Sequence, residues 1–241
     1  MPFTALISDL HLSAARPEIN RSFFSFLHGP ACEADALYIL GDLFDYWPGD
    51  DDLSDPLNAQ VAAGLRALGD AGVTVFLMHG NRDFLLSRRF SHATGSTLIA
   101  DPTVTELYGT TTLLMHGDTL CTDDTRYQAF RRRSRSRPWQ WLFLAQPLWL
   151  RRAELERVRG VSEVQKKVKP AYIMDVAPAA VEQAFRESGA TRLIHGHTHR
   201  PSRHVHQVDG RERERWVLSD WYVRGQYLRV DAHGCTPVDL S

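Results

Sequence analysis

The chain has 241 residues, of which 43% are hydrophobic and 24% are charged. This length and balance exclude a disordered chain and allow one large core or two modest ones. The net charge of −1 conceals a local imbalance, because ten arginines fall between positions 126 and 159 against only two glutamates. We therefore expect a local basic surface on a nearly neutral protein.

The cysteine and hydropathy patterns bear on where the protein resides. Three widely spaced cysteines without a Cys-x-x-Cys pair suggest neither a disulfide framework nor a thiolate zinc site, and a reducing cytosol fits them. A strand-like run begins at Phe3, which leaves no room for a cleavable signal. The longest apolar stretch, 139–150, is shorter than the ~20 residues that cross a bilayer and contains Pro147. We expect a protein that does not cross a membrane.

Strand and helix patterns alternate along the first half of the chain, and strands return at its end. The predicted strands are 6–7, 36–40, 73–78, 104–107, 110–115, 192–194, 204–208, 215–218 and 227–230, and the predicted helices are 57–71 and 176–188. Asp209-Gly210 is typical of a hairpin turn. This βαβ alternation predicts an α/β layered domain.

Residues 124–170 interrupt the alternation. They show no strand pattern, they are strongly basic, and they contain Trp139, Trp141 and Trp149. We predict a helical cap over 124–170, inserted into a core formed by 1–123 and 171–241.

Five apolar runs end in residues that can bind metals. These residues are Asp9, His11, Asp42, Asn81, His116, His197 and His199. Residues two apart in a strand project to the same side, which favours joint ligation by each pair of that spacing. A carboxylate such as Asp42 can give one oxygen to each of two metals. Mixed oxygen and imidazole ligation without thiolate suits manganese, iron or zinc rather than calcium.

Each of these residues also has a simple structural explanation. Asp42 and Asn81 stand beside glycines as turn residues do, His116 could be a hydrogen-bonded core histidine, and 195–199 could be an exposed loop. Chance alone would then have to place ligand residues at five unrelated strand ends. We interpret the set as a two-metal phosphoesterase site with Asp42 as its shared ligand.

The motifs Asp-x-His, Gly-Asp, Gly-Asn, His-Gly-Asp and Gly-His-Thr-His, in this order, resemble the calcineurin-like metallophosphoesterase superfamily. The resemblance implies a four-layer α/β/β/α sandwich of two mixed sheets, which would carry the cap. It also implies two ligand sets: Asp9, His11, Asp42 and His199 for one metal, and Asp42, Asn81, His116 and His197 for the other. Asp45 remains unassigned, either orienting a ligand or capping the next loop.

One position departs from the pattern of many relatives, which carry histidine after Gly-Asn. Here the residue is Arg82, which is permanently charged and cannot act as a general acid at neutral pH. Arginine can stabilise charge on phosphate oxygens. A site without that acid favours a leaving group that needs no proton, so we expect a pyrophosphate substrate.

Longer stretches at 8–12, 41–47, 80–85, 116–124, 173–176 and 195–201 are similar to the UDP-2,3-diacylglucosamine hydrolases of lipid A biosynthesis. This resemblance implies water attack at the α-phosphorus of UDP-2,3-diacylglucosamine, which gives UMP and 2,3-diacylglucosamine 1-phosphate with two Mn²⁺ ions as cofactor. It implies catalytic roles for Asp42, Asn81 and Arg82. The implied substrate contacts are Asn81, Arg82, Asp124, Ser162, Lys166, Lys169 and His197. The three lysines of the chain all fall at 166–169, although an exposed basic helix face would look the same.

A diacylated substrate needs an apolar chamber, because burying acyl chains is worth ~0.8 kcal/mol per methylene. The cap offers Trp139, Trp141, Leu142, Phe143, Leu144, Leu148, Trp149 and Leu150. Tryptophan beside arginine also suits an anionic membrane surface. We expect peripheral attachment to the cytoplasmic face of the bacterial inner membrane, although the tryptophans could simply join cap to core.

Two other functions are compatible with parts of the pattern. A phosphoesterase of soluble nucleotides would use the cap only to restrict access. A non-catalytic scaffold of this fold would bind proteins, but scaffolds commonly lose ligands and all seven are present. We expect neither nucleic acid nor an obligatory protein partner.

Overall fold

The computed structural model describes residues 1–168, 175–222 and 224–240, with side chains for all of these except 161–168. The strands are β1 (Thr4–Ile7), β2 (Ala36–Leu40), β3 (Thr74–Met78), β4 (Thr97–Ile99), β5 (Thr103–Leu107), β6 (Thr110–Met115), β7 (Arg192–His195), β8 (Ser202–Val208), β9 (Arg211–Val217), β10 (Gln226–Asp231) and β11 (Gly234–Asp239). The helices are α1 (Pro17–His28), α2 (Pro56–Asp70), α3 (Arg88–Thr94), α4 (Thr125–Ser134), α5 (Arg137–Leu144), α6 (Leu148–Val168) and α7 (Pro178–Ser188).

The strands form two mixed sheets. The first has the order β11-β10-β1-β2-β3-β4, in which β1 to β4 are parallel and β10 and β11 are antiparallel neighbours. The second has the order β5-β6-β7-β9-β8, with β6, β7 and β9 parallel. The hairpin predicted at Asp209-Gly210 joins β8 to β9, and Asp209 has a positive φ of 51°.

The alternation of side chains along each strand builds four layers. In β2, Leu37 and Ile39 pack towards α1 and α2, whereas Leu40 points to the second sheet. In β6, Leu114 joins the core between the sheets and Leu113 packs against α7. The order is therefore helices, sheet, sheet, helix, which confirms the predicted α/β/β/α sandwich.

The predicted strands and helices are present with shifted ends. Helix α7 begins at Pro178 rather than 176, because proline is well suited to the first helical position and cannot continue a helix from before it. Helix α1 was missed, although Ile19, Phe23 and Phe26 form a buried stripe at helical spacing. Strands β4 and β11 and helix α3 were also missed, because they are short or lie at a sheet edge with weak patterns.

Helices α4 to α6 follow β6, and ion pairs hold α6 to the core. Three arginines of α6 contact carboxylates in the segment 45–55, and the Arg159 Nε lies 3.0 Å from the Asp45 Oδ2. The pairs are Arg151 with Asp51, Arg152 with Asp52 and Arg159 with Asp45. The carboxylates neutralise these three arginines, so the predicted local basic surface does not include them. The insert as a unit of 124–170 remains a prediction, since its end lies outside the described residues.

A buried aromatic tests the packing of α7. Phe185 is buried where α7 meets the second sheet. We expect Phe185→Ala to lower the free energy of unfolding by about 3–5 kcal/mol, because it leaves a cavity. Val205→Ala, at an exposed position of β8, should change it by less than about 0.5 kcal/mol. Urea unfolding measures both, and equal effects would contradict this packing.

Candidate metal centre

The predicted ligands lie where strands of both sheets end. Asp9, Asp42 and Asn81 follow β1, β2 and β3, and His116 and His197 follow β6 and β7. The carboxyl ends of parallel strands meet at one edge of a sheet. The loops of the two sheets also meet each other, since the His197 N donates to the Asp9 Oδ2 at 2.8 Å.

Asp42 stands between two imidazoles. Its Oδ2 lies 3.8 Å from the His11 Nε2, and its Oδ1 lies 3.8 Å from the His116 Nε2. On the His11 side, the His199 Nε2 is 3.3 Å from the Asp9 Oδ1. Each carboxylate oxygen of Asp42 therefore has a different histidine as its neighbour.

Asn81 brings two further imidazoles together. Its Oδ1 lies 3.0 Å from the His116 Nε2 and 2.8 Å from the His197 Nδ1. The His116 Nδ1 is 2.9 Å from the Leu40 carbonyl oxygen, to which it donates when Nε2 carries the free lone pair. That hydrogen bond directs Nε2 towards Asn81 and Asp42.

The donor set fits divalent cations. Asp9, His11 and His199, and likewise Asp9, Asp42 and His116, offer ligand atoms that lie within 4.8 Å of one another. The two carboxylates are almost fully buried, and their charge needs a positive partner. Oxygen and imidazole donors without thiolate suit manganese, iron or zinc.

The backbone at these residues is unusual. Asp9, His11, Asp42, His197 and His199 all have φ between 51° and 67°, a region that side chains other than glycine rarely adopt. Such conformations cluster at functional sites, where the surroundings hold them. These backbone conformations direct the side chains of the loops of both sheets towards the candidate metal site.

Two glycines allow the loops to approach. A Cβ on Gly80 would lie 2.1 Å from the Asp42 Oδ1, and a Cβ on Gly196 would lie 2.2 Å from the Asp9 Oδ2. Any larger residue at either position would displace a predicted ligand.

The electrostatics show that the site attracts positive charge. Burial raises the pKa of Asp42 to about 7, the Asp83 and Asp9 carboxylates add to the increase, and His116 opposes it. Burial lowers the pKa of His116, but the carboxylates of Asp42, Asp9 and Asp118 outweigh burial and raise it to about 9. Protons and metal ions therefore compete for the same groups.

Two other imidazoles have lowered pKa values. Burial, together with the charge of His116, lowers the pKa of His197 to about 3, which leaves the ring in the form that binds metals. His195 has its pKa lowered to about 3 by burial and by Arg215. Its Nδ1 contacts the Gly196 O and its Nε2 contacts Arg215, so it lies behind the ligand loop.

The predicted substrate contacts are only partly described. The positive charge of Arg82 acts on the Asp42 carboxylate, and its backbone N donates to the Asp42 Oδ1 at 2.8 Å. Asp124 caps α4 by accepting from the Tyr127 N at 3.1 Å. The side chains of Ser162 and Lys166, and all of Lys169, lie outside the described residues.

Comparison with known proteins agrees with this geometry. The model of the calcineurin-like phosphoesterases matches residues 4–201. The chain belongs to the calcineurin-like phosphoesterase family. It is 52% identical to the UDP-2,3-diacylglucosamine hydrolase of Cellvibrio japonicus over 96% of both chains. It is 51% identical to that of Aromatoleum aromaticum over 97% of this chain and 95% of the relative. The chain of an archaeal phosphodiesterase superposes with a TM-score of 0.48 at 12% identity and covers 99% of each chain. The predicted family and the hydrolase class are confirmed.

Some residues that shape this phosphoesterase centre were not assigned from the sequence. Asp83 is fully buried, and its carboxylate accepts from the backbone N of Gly80, Asp42 and Leu43 at 2.8, 3.3 and 2.8 Å. It stands in the Gly-Asn-Arg-Asp run, which was a usable signal.

Asp220 was also missed. Its Oδ2 lies 3.1 Å from the His199 Nδ1 and orients that ring. Asp220 is 21 positions after His199 and follows no strand that carries a motif, so no local pattern indicates its role.

Asp83 tests whether the loops determine metal binding. We expect Asp83→Ala to weaken binding of Mn²⁺ by about 10–100-fold, because three backbone N–H groups lose the acceptor that holds the Asp42 and Asn81 loops together. The exposed Asp70→Ala is the matched control. Isothermal titration of metal-free protein measures both, and unchanged affinity in Asp83→Ala would refute this role.

Proposed function

We propose that the protein hydrolyses the pyrophosphate of UDP-2,3-diacylglucosamine by water attack at the α-phosphorus, giving UMP and 2,3-diacylglucosamine 1-phosphate. The observation that carries the proposal is the joining of a buried carboxylate–imidazole centre to apolar cap helices in one chain. Relatives named for this substrate at about 50% identity over nearly their whole length support it.

The seven ligand residues would hold two Mn²⁺ ions in this proposal. When bound, such a pair of cations supplies Lewis acidity to phosphoryl oxygens and lowers the pKa of a water molecule. Asp42, with one imidazole beside each oxygen, is the residue suited to serve both ions. Asn81 and the imidazoles of His116 and His197 would complete one ligand set, and Asp9, His11 and His199 the other.

Arg82 would bind the phosphate oxygens and stabilise the charge that develops on them. It makes no ion pair with any described residue, so its charge is available to an anion. The leaving group would be a sugar phosphate, which departs as an anion and requires no proton from the protein. The absence of a proton donor at position 82 therefore suits a pyrophosphate and not an alkyl ester.

The cap helices would bind the acyl chains. Trp139 packs against Phe84 and Phe143 at ring-centroid distances of 6.1 and 4.9 Å, so an apolar surface begins three residues after Asn81. In this proposal, 124–170 act as the cap over a core of 1–123 and 171–241.

An anionic membrane would cover the outer face of the cap. Trp141 and Trp149 are 71% and 70% exposed, and Leu142 and Leu144 are exposed beside them. The exposed Arg137 lies at the start of α5, the helix that contains Trp141, Leu142 and Leu144. Within the described residues, no helix is both long and apolar enough to cross a membrane. Peripheral binding at the cytoplasmic face of the inner membrane fits a substrate that carries two acyl chains.

Product analysis in ¹⁸O-labelled water tests the reaction. We expect the wild type with Mn²⁺ to place the label in UMP, because water attacks the α-phosphorus. Asp42→Asn should fold but lose most metal and at least about 10³-fold in activity. Label in the sugar phosphate would refute α-attack, and equal turnover of non-acylated UDP-glucosamine would favour a soluble-nucleotide enzyme.

The exposed tryptophans test membrane binding. We expect Trp141→Ala/Trp149→Ala to weaken binding to vesicles with anionic lipid by at least about tenfold, because each indole can bury a large apolar area. Val104→Ala/Val205→Ala removes exposed apolar groups from the second sheet and should leave binding unchanged. Vesicle sedimentation compares them, and equal binding by all proteins would rule out this surface.

A further inference from the structure

One face of α4 contacts the loops that carry predicted ligands. Tyr127, Arg131 and Arg135 stand four residues apart, so they share a face of the helix and its C-terminal turn. Together they contact three loops of the metal centre. The proposed function assigns a role to none of them.

Tyr127 contacts the His197 ring directly. The two rings are stacked, with centroids 6.0 Å apart and planes inclined by 29°. On another side, the His116 ring meets His197 edge-on at 5.1 Å. Tyr127 therefore covers one face of the His197 ring and limits its rotation.

Asp118 fixes Tyr127 in turn. This carboxylate is fully buried two residues after His116, and its Oδ2 accepts from the Tyr127 hydroxyl and from the Arg131 Nε, the latter at 2.7 Å. The Arg131 Nη2 also reaches the Asp101 Oδ2 at 3.4 Å. The other oxygen of Asp101 accepts from the His116 N at 3.2 Å, which ties Arg131 to the loop of that ligand.

Arg135 reaches the third loop. Its Nη2 donates to the Gly80 O at 2.7 Å, one residue before Asn81. Its guanidinium also lies over the Phe84 ring, 5.0 Å from the centroid. The contact holds the carbonyl at the point where β3 leads into the Asn81 turn.

We propose that α4 is a brace for the metal centre, with Tyr127, Arg131 and Arg135 as positioning residues for His197, His116 and Asn81. All three of these ligands belong to the same predicted set, so the brace acts mainly on one of the two metals. Because α4 is also the first helix of the cap, cap docking and order of this ligand set depend on the same contacts. The proposal rests on the proposed function only for its activity assay.

Metal titration of metal-free protein tests the brace. We expect Arg131→Met and Arg135→Met each to weaken the affinity of one Mn²⁺ site by about 10–100-fold and to leave the other within about threefold. Arg132→Met is the matched control, because it removes the same charge at an exposed position of the same helix. Tyr127→Phe keeps the stacked ring and should lose less affinity than Tyr127→Leu.

Activity at two metal concentrations separates positioning from substrate contact. At limiting Mn²⁺ the brace variants should lose kcat, and excess Mn²⁺ should restore most of it with little change in KM. A raised KM with unchanged metal affinity would overturn the proposal, as would equal metal affinity in the brace variants and Arg132→Met. Thermal unfolding in chelator checks that the variants fold. If the arginine variants do not fold, the metal affinities of Tyr127→Phe and Tyr127→Leu decide the proposal instead, and equal affinities would overturn it.

The same experiment keeps the two hypotheses apart. If the wild type does not hydrolyse UDP-2,3-diacylglucosamine, the proposed function fails, but the metal titrations still decide the brace. If the wild type is active and all variants bind metal normally, only the brace fails.

Discussion

The burial of four carboxylates at the joint edge of two sheets is the constraint on which the site depends. Asp9, Asp42, Asp83 and Asp118 are between 0% and 2% exposed, and an uncompensated buried carboxylate would be strongly destabilising. They are compensated in three ways. Asp83 accepts three backbone N–H groups, Asp118 accepts from α4, and Asp9 and Asp42 are surrounded by imidazoles. The carboxylates of Asp9 and Asp42 can still accept further contacts on the side of the predicted metal ligands. For this reason the site attracts cations.

This division of roles explains what the sequence could predict. Ligand residues occur directly after buried strands, so Asp9, Asp42 and Asn81 are recognisable from local patterns alone. Asp83 and Asp118 stand in the same motifs, but their partners are backbone groups and a helix elsewhere in the chain. Residue type does not reveal which carboxylate binds a metal and which one organises a loop. That distinction depends on tertiary contacts, and the ligand roles themselves remain predictions.

The fold was predictable to a similar extent and for a similar reason. Strand β2 and the end of β6 read as continuous apolar runs, because both of their faces pack against other layers. Strand β9 begins four residues earlier than its pattern indicated, since its first residues are charged and largely exposed. Helix α1 had a readable apolar stripe that was overlooked. Edge and surface elements make fewer apolar contacts and leave weaker patterns.

Helices α5 and α6 reverse the usual distribution of charge and apolar surface. In α5, Trp139 and Phe143 are four residues apart and turn inward, whereas Trp141 lies on the opposite face and is exposed. A surface helix of a soluble domain normally has a polar outer face. In α6 three arginines pair with carboxylates of the segment 45–55, as Arg151 does with Asp51. Charge therefore holds this helix to the core while apolar side chains remain outside. Helices attached in this way can present indoles outward while they stay packed on the core.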